Sequence, residues 1–177
     1  MKFFVLIDSP DLKYSPKLTE WHKRIDVRNI RIDKYPKLAE QELFIIKSEE
    51  KVIFTDIILF PFLLVTPMVK DVIEMYGDTC FFRKIILLDQ VHQKSELYYL
   101  PILDETDKIQ LALKNYDENG QSSNTKTFTN NSFTINKNIF WVRDSMKKHT
   151  VISLDLAESL LRRNVVGLGI QEVVLHN

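Results

Sequence analysis

The chain has 177 residues, a common size for one domain that builds its own hydrophobic core. Hydrophobic residues make up 45%, charged residues 27%, and the formal net charge is zero, so disordered, fibrous and strongly basic chains are excluded. The longest apolar stretch, residues 57–65, contains Pro61 and falls well short of the roughly 20 residues that a membrane span needs. We therefore expect a single domain over residues 1–177 with no membrane segment.

The cysteine content and the first residues point to a reducing compartment. A single cysteine, Cys80, excludes an internal disulfide and is typical of a small buried hydrophobe. Residues 2–8 contain too few apolar residues for a secretory signal and instead predict an opening strand. These features predict a cytoplasmic protein.

The N-terminal part, residues 1–56, is predicted to be rich in β-structure. Apolar residues alternate over residues 25–32 with one slip, which is the pattern of a bulged strand. Short β-prone runs at residues 43–47 and 52–55 flank a polar four-residue connection and predict a hairpin.

Residues 57–177 alternate between helical and strand patterns. Thr66 followed by Pro67 predicts a helix start, and Gly77 ends that helix before predicted strands at residues 81–88 and 97–103. The segment from Asp104 to Asn115 then predicts a second helix.

A polar insert over residues 115–138, with seven Asn, interrupts this pattern and predicts a long loop or loose hairpin. Beyond it, strands are predicted at residues 139–142, 151–152 and 173–175, with a Ser153-capped helix before the last of them. The fold class predicted is α+β, with a mostly antiparallel sheet and two or three helices.

No motif with a catalytic, metal-binding or cofactor-binding mechanism is found. The sequence lacks a Gly-x-Ser-x-Gly elbow, a phosphate-binding Gly-Lys-Ser/Thr loop and a His-Glu-x-x-His helix, and its four histidines lie far apart. Gly167 and Gly169 follow a helix rather than precede one, the reverse of the nucleotide-binding order, and are expected to relieve backbone strain. We predict no catalytic residue, no metal site and no cofactor.

The basic segment, residues 13–37, supports an alternative function. Aromatic residues lie among its cations, a pattern that suits phosphate contacts and base stacking, although acidic residues in the segment weaken the case. The cations are Lys13, Lys17, Lys23, Arg24, Arg28, Arg31, Lys34 and Lys37. A nucleic-acid-binding module is therefore the second hypothesis.

A Mg²⁺-dependent nuclease is the third hypothesis. Glu49 and Lys51 form a Glu-x-Lys, and Asp33 lies upstream as in metal-dependent nucleases. The triplet from Glu49 to Lys51 falls in the predicted turn between apolar runs, where charge is ordinarily explained by solvation alone.

A set of motifs in residues 57–175 resembles a known family. These are Leu63-Leu64-Val65-Thr66, Tyr98-Tyr99 leading to Ile102 and Asp107, Ile139-Phe140-Trp141-Val142-Arg143, Val151-Ile152-Ser153, the helix from Leu154 to Arg163, and Val166-Gly167-Leu168. Together they resemble immunity-protein family eleven of bacterial polymorphic toxin systems, which include contact-dependent inhibition systems. The resemblance implies an immunity protein that neutralises a cognate toxin by stoichiometric protein–protein binding, without catalysis.

The residues expected to contact such a toxin are acidic or lie in the polar insert, because loops on a rigid frame commonly carry recognition. Two explanations fit the acidic residues Asp104, Glu105 and Asp107. Either they lie at the start of a helix, where the helix dipole stabilises carboxylates, or they form an acidic recognition site. The predicted partner-binding residues are Asp104, Glu105, Asp107, Tyr116, Asp117 and Glu118.

Overall fold

Two β-sheets and two α-helices make up the computed structural model, which describes residues 2–9, 13–106, 110–113, 136–144 and 147–176. The strands are β1 (Phe3–Ile7), β2 (Gln41–Ile45), β3 (Ile57–Ile58), β4 (Leu64–Val65), β5 (Phe81–Asp89), β6 (Lys94–Ile102), β7 (Glu105–Thr106), β8 (Gln110–Leu113), β9 (Ile139–Asp144), β10 (Lys147–Ser153) and β11 (Gly169–His176). The helices are α1 (Pro67–Met75) and α2 (Leu154–Arg162), and three 3-10 helices lie at Trp21–Lys23, Val27–Asn29 and Tyr35–Lys37. The predicted α+β class is confirmed, with two α-helices in the described part of the chain.

The first sheet has the strand order β7-β9-β10-β1-β11-β8. Strand β1 lies between β10 and β11 and is antiparallel to both, so Phe3 pairs with Ser153 on one side and Val173 on the other. Gly169, opposite Ile7, allows a close approach, because a Cβ added at this position would lie 2.5 Å from the Ile7 carbonyl oxygen. The predicted relief of backbone strain instead fits Gly167, whose φ is 88°.

The second sheet has the strand order β2-β5-β6-β4-β3. Strands β5 and β6 form a hairpin in which all nine residues of each strand are paired. Strand β2 runs parallel to β5 at the edge of the sheet, and β7 runs parallel to β9 in the first sheet. The other pairings are antiparallel, which confirms a mostly antiparallel architecture.

Both α-helices begin where the sequence predicted, but their first turns are held differently. The Ser153 hydroxyl accepts a hydrogen bond from the Leu156 N–H at 3.3 Å, as an N-cap does. The Thr66 hydroxyl instead donates to the Asp56 carboxylate at 3.0 Å. In the described part of the chain, no helix has the length and hydropathy needed to cross a bilayer.

One large hydrophobic core joins the two sheets and both helices. It contains residues of the second sheet such as Phe44 and Leu87, residues of α1 and α2 such as Val69 and Leu156, and Ile152 of the first sheet. A smaller cluster, built on Phe3, Val5, Phe140, Val142, Val151 and Val173, lies within the first sheet. The second sheet is therefore packed into the core mainly through the face that carries Phe44, Ile85, Leu87 and Tyr98.

The strand predicted over residues 25–32 is wrong. The segment contains the 3-10 helix Val27–Asn29, and the Asp26 side chain accepts a hydrogen bond from the Arg28 N–H at 3.0 Å. This local side-chain bond competes with strand pairing, and it lets Ile25 and Ile30 both point into the core.

The predicted hairpin at residues 43–47 and 52–55 and the predicted helix from Asp104 to Asn115 are also wrong. Strand β2 pairs in parallel with β5, and residues 47–56 contain no strand. Glu105–Thr106 pairs with β9 and Gln110–Leu113 pairs with β11, so tertiary pairing outweighs the helical spacing of this segment. Most of the predicted polar insert, residues 115–138, lies outside the described residues.

Candidate interaction surface

Three neighbouring strands of the second sheet carry apolar side chains on both faces. Phe44 lies opposite Leu87 and both point inward, with 2% and 0% of their surface exposed. Because successive side chains of a strand point to opposite faces, the alternate residues point away from the core. Those outward residues form what we call the outer aliphatic patch, which consists of Leu43, Ile45, Ile86, Leu88 and Leu97.

The strand register makes this patch continuous. Leu43 lies opposite Ile86, Ile45 opposite Leu88, and Ile86 opposite Leu97. Directly opposed side chains on one face of a sheet are close neighbours. Five aliphatic side chains on three adjacent strands therefore form a single apolar surface.

The β2 side of the patch is exposed in the described part of the chain, and Ile86, Leu88 and Leu97 are half-buried. Leu43 is 41% exposed and Ile45 is 40% exposed. None of the five patch residues belongs to either hydrophobic core of the described residues or packs against one. Contiguous exposed apolar surface on a folded protein is characteristic of binding sites.

Helix α1 covers the neighbouring part of the same face. The ammonium group of Lys70 lies 5.2 Å from the ring centroid of Phe82 and 5.3 Å from that of Tyr99, and the two rings meet edge to face at 6.1 Å. The Lys70 ammonium also pairs with the Glu74 carboxylate at 2.6 Å. The outer aliphatic patch begins where this cover ends.

A groove of about 570 Å³ lies at that boundary, and we call it the cationic groove. Its lining includes Lys70, Arg83, Lys84, Glu40, Glu74 and the Phe82 and Tyr99 rings. The Arg83 guanidinium lies 4.8 Å from the Tyr35 ring centroid and donates to the Tyr35 carbonyl at 3.2 Å. Its Nε is buried and has no hydrogen-bond partner among the described residues.

Cys80 also lines the groove, and its thiol is not a nucleophile. Burial raises the pKa of the Cys80 thiol to about 12, so the thiolate is not populated at neutral pH. The predicted role of this cysteine as a small apolar side chain fits its contact with the large core.

The acidic residues predicted to bind a partner are engaged within the protein where the structure describes them. Asp104 forms an ion pair with Lys137. Glu105 lies 2.6 Å from Arg143 and 2.9 Å from Lys148, which ties β7 to β9 and β10. The predicted residues Asp107, Tyr116, Asp117 and Glu118 lie outside the described residues.

The environment of Glu105 favours its ionised form. Burial raises the pKa of the Glu105 carboxyl, but the hydrogen bonds and positive charges of Lys148 and Arg143 outweigh burial, and the net pKa is below the ordinary value. This carboxylate links β7 to β9 and β10 and offers a partner little free charge.

The basic segment, residues 13–37, is largely neutralised by nearby carboxylates. Five of its cations form ion pairs: Lys17 with Glu49, Lys23 with Glu20, Arg24 with Glu42, Arg28 with Asp26, and Arg31 with Asp33. The hydrogen bond from Arg28 is the main cause that lowers the pKa of Asp26 to about 2. A nucleic-acid partner would have to displace these carboxylates or bear their repulsion.

The residues of the nuclease hypothesis are engaged by different partners. Asp33 pairs with Arg31, Glu49 pairs with Lys17 at 2.9 Å, and the Lys51 ammonium lies 4.8 Å from the Tyr14 ring centroid. Among the described residues, no three His, Cys, Asp or Glu side chains are grouped so as to hold a metal ion.

The outer aliphatic patch was not among the predicted partner-binding residues, although the sequence contains a signal for it. Residues 85–88 read Ile-Ile-Leu-Leu, so β5 is apolar on both faces, a pattern typical of a strand covered on both sides. Only the strand register shows that one of those faces lacks a cover among the described residues.

Comparisons of the chain with protein-family models, with curated proteins and with solved structures give no match.

Proposed function

We propose that this protein is an immunity protein, which binds a cognate bacterial toxin in the cytoplasm and neutralises it by stoichiometric protein–protein interaction. The observation that carries the proposal is the outer aliphatic patch, a continuous apolar surface on a hydrogen-bonded sheet. The reason for proposing a toxin as the partner is the set of motifs in residues 57–175 that resemble immunity-protein family eleven.

The patch has the physical properties that tight binding requires. Its side chains project from paired strands whose opposite face is packed into the core, so little conformational freedom is lost on binding. Covering a Leu or Ile side chain that was exposed contributes about 1.5–3 kcal/mol when the side chain becomes fully buried. A few such residues at the centre of an interface supply most of the binding free energy.

Neutralisation by this route requires no catalytic step on the immunity protein. A toxin is inactivated when the bound protein covers its active site or holds it in an inactive conformation. Binding that is tight and stoichiometric, rather than turnover, is the property to be measured.

The experiment expresses the proteins encoded next to this gene, among which the proposal expects a toxin with a toxic C-terminal domain. Expressed alone, that domain is expected to stop growth, and co-expression of the full chain is expected to restore growth and yield a 1:1 complex by light scattering. The double variant Leu43→Lys/Ile45→Lys is expected to lose both effects because it places two charges in the apolar contact.

The matched control is Val91→Lys, which adds a charge at the tip of the β5–β6 hairpin, where Val91 is 70% exposed. We expect this variant to protect cells as the wild type does, and circular dichroism to show that all the variants are folded. A toxin domain that neither binds the wild-type chain nor is neutralised by it would overturn the proposed function.

A further inference from the structure

The cationic groove adjoins the outer aliphatic patch through strand β5. Lys84 is an outward residue of β5, two positions from Ile86 in the patch, and it lies opposite Gln41 of β2 and Tyr99 of β6. Its side chain is exposed and has no ion-pair partner among the described residues. A protein that covers the patch therefore also reaches Lys84.

The other charges of the groove are satisfied to different degrees. Lys70 is paired with Glu74 and lies over two aromatic rings, so its charge is already compensated. Arg83 donates to one backbone carbonyl but keeps a buried Nε without a partner in the described part of the chain. Glu40, whose carbonyl accepts a hydrogen bond from the Lys84 N–H, supplies a second carboxylate beside Glu74. Arg83 alternates with Lys84 along β5 and lies over the Tyr35 ring, so its charge is directed to the other face of the strand. Lys84 is therefore the outward cation of the groove that has no ion-pair partner among the described residues.

Binding changes the energetics of these donors. Lys84 is solvated in the free protein, and a partner that covers the patch removes water from it. A cation that loses water without gaining an anion is strongly unfavourable, whereas a carboxylate at hydrogen-bond distance compensates the loss. The apolar part of the partner must therefore be followed by an acceptor, and the charge of Lys84, which no carboxylate of the described residues pairs, selects a negatively charged one.

We propose that the cationic groove receives an acidic side chain, Asp or Glu, of the protein that covers the outer aliphatic patch, with Lys84 as the pairing residue. The inference rests on the proposed function, since it specifies the chemistry of the toxin surface. That surface is apolar and carries a carboxylate at its edge. Lys84 thereby determines which toxins are accepted, because a partner with a neutral or basic residue at this point leaves the cation unpaired.

Calorimetric titration of the full chain with the toxin domain identified in the co-expression experiment tests the proposal. The variant Lys84→Glu is expected to weaken binding by at least about tenfold, because it sets two carboxylates against each other. The wild-type chain is expected to lose affinity as salt rises from about 50 to 300 mM, because salt screens the ion pair. The variant Lys84→Met lacks that ion pair, so its affinity is expected to depend less on salt. The control Lys94→Glu reverses an exposed charge on β6 and is expected to stay within about twofold of the wild type.

A charge exchange identifies the partner residue. Single Asp→Lys and Glu→Lys variants of the toxin domain are titrated against the wild-type chain and against Lys84→Glu. One toxin variant is expected to bind Lys84→Glu more tightly than it binds the wild-type chain.

The failures are distinguishable. If Leu43→Lys/Ile45→Lys abolishes binding while Lys84→Glu binds as the wild type does, the groove inference is overturned and the proposed function stands. If the wild-type chain does not bind the toxin domain at all, the proposed function itself is overturned. Binding of a single-stranded oligonucleotide that is lost in Lys84→Glu would show that the groove holds phosphate, which contradicts the carboxylate assignment.

Discussion

The inner and outer faces of the second sheet are made of the same kinds of residue and have different environments. Ile85 and Leu87 point into the large core, whereas Ile86 and Leu88, their immediate neighbours, point out of it. The side-chain chemistry is the same on both faces, so hydrophobicity alone does not decide which residues form the core. The difference arises from what lies over each face: among the described residues the large core packs on one side, whereas on the other side Lys70 of α1 covers Phe82 and Tyr99 and the patch stays open.

The largest difference in the free energy of unfolding is expected between two leucine-to-alanine variants, one on each face of β5. Leu87→Ala is expected to lower the free energy of unfolding by about 2–5 kcal/mol, because Leu87 is fully buried and its loss leaves a cavity. Leu88→Ala is expected to cost less than about 1 kcal/mol, because Leu88 packs against neither core. Urea unfolding of both variants measures the difference, and equal losses would show that the outer face is covered after all.

A smaller effect is expected from the adjacent tyrosines Tyr98 and Tyr99. The inward hydroxyl of Tyr98 donates to the Thr55 carbonyl at 2.7 Å, and burial raises the pKa of this phenol. Tyr98→Phe is expected to cost about 1–3 kcal/mol, because the buried carbonyl loses its donor. Tyr99→Phe on the outer face is expected to change the free energy of unfolding by less than about 0.5 kcal/mol, and thermal unfolding of the pair checks this ranking.

The smallest effect is expected from Asp89, the inward residue that ends β5, and it depends on pH. Its carboxylate accepts hydrogen bonds from the Val91 and His92 N–H groups, and the His92 ring nitrogen lies 2.7 Å away. The hydrogen bond with His92 is the main cause that lowers the pKa of Asp89, against the opposing effect of burial. A lowered pKa means that ionised Asp89 stabilises the fold above its unfolded pKa of about 3.9 and that this contribution is lost as the pH falls through the folded value.

Below about pH 4, the free energy of unfolding of Asp89→Asn is therefore expected to decrease less steeply with falling pH than that of the wild type. Urea unfolding between neutral pH and acid measures the slope. Lys84→Met, on the outer face, is the control and is expected to leave the acid slope unchanged. If the acid slope of Asp89→Asn equals that of the wild type, the pKa of Asp89 does not differ between the folded and unfolded states.

The elements that the sequence predicted correctly are those with a local signal. Thr66-Pro67 and Ser153 mark the starts of α1 and α2, and the apolar run of residues 81–88 gives β5. Two of the wrong predictions concern segments whose pairing partners are distant: β2 depends on β5, and residues 105–113 depend on β9 and β11. The third, the strand predicted over residues 25–32, failed for a local reason, the hydrogen bond between Asp26 and Arg28. A hydrophobic pattern indicates which residues of a strand are buried but does not identify a partner strand that is distant in the sequence.

The candidate site was harder to predict than the fold. The acidic residues Asp104 and Glu105 stood out in the sequence because they are charged and clustered, yet the structure pairs them with Lys137, Arg143 and Lys148. The outer aliphatic patch looked like core, because an aliphatic residue in a strand usually is core. Recognising it required the register of three strands and the position at which α1 ends.

The placement of β1 between β10 and β11 has a consequence for how the chain folds. The partners of Phe3 are Ser153 and Val173, so the centre of the first sheet closes only after very long loops have been brought together. The second sheet is built from residues 41–102 and closes shorter loops, so we expect it to form earlier during synthesis. A nascent chain halted before Gly169 would still carry β2 to β6 but would leave β1 with an open edge, a template for aggregation.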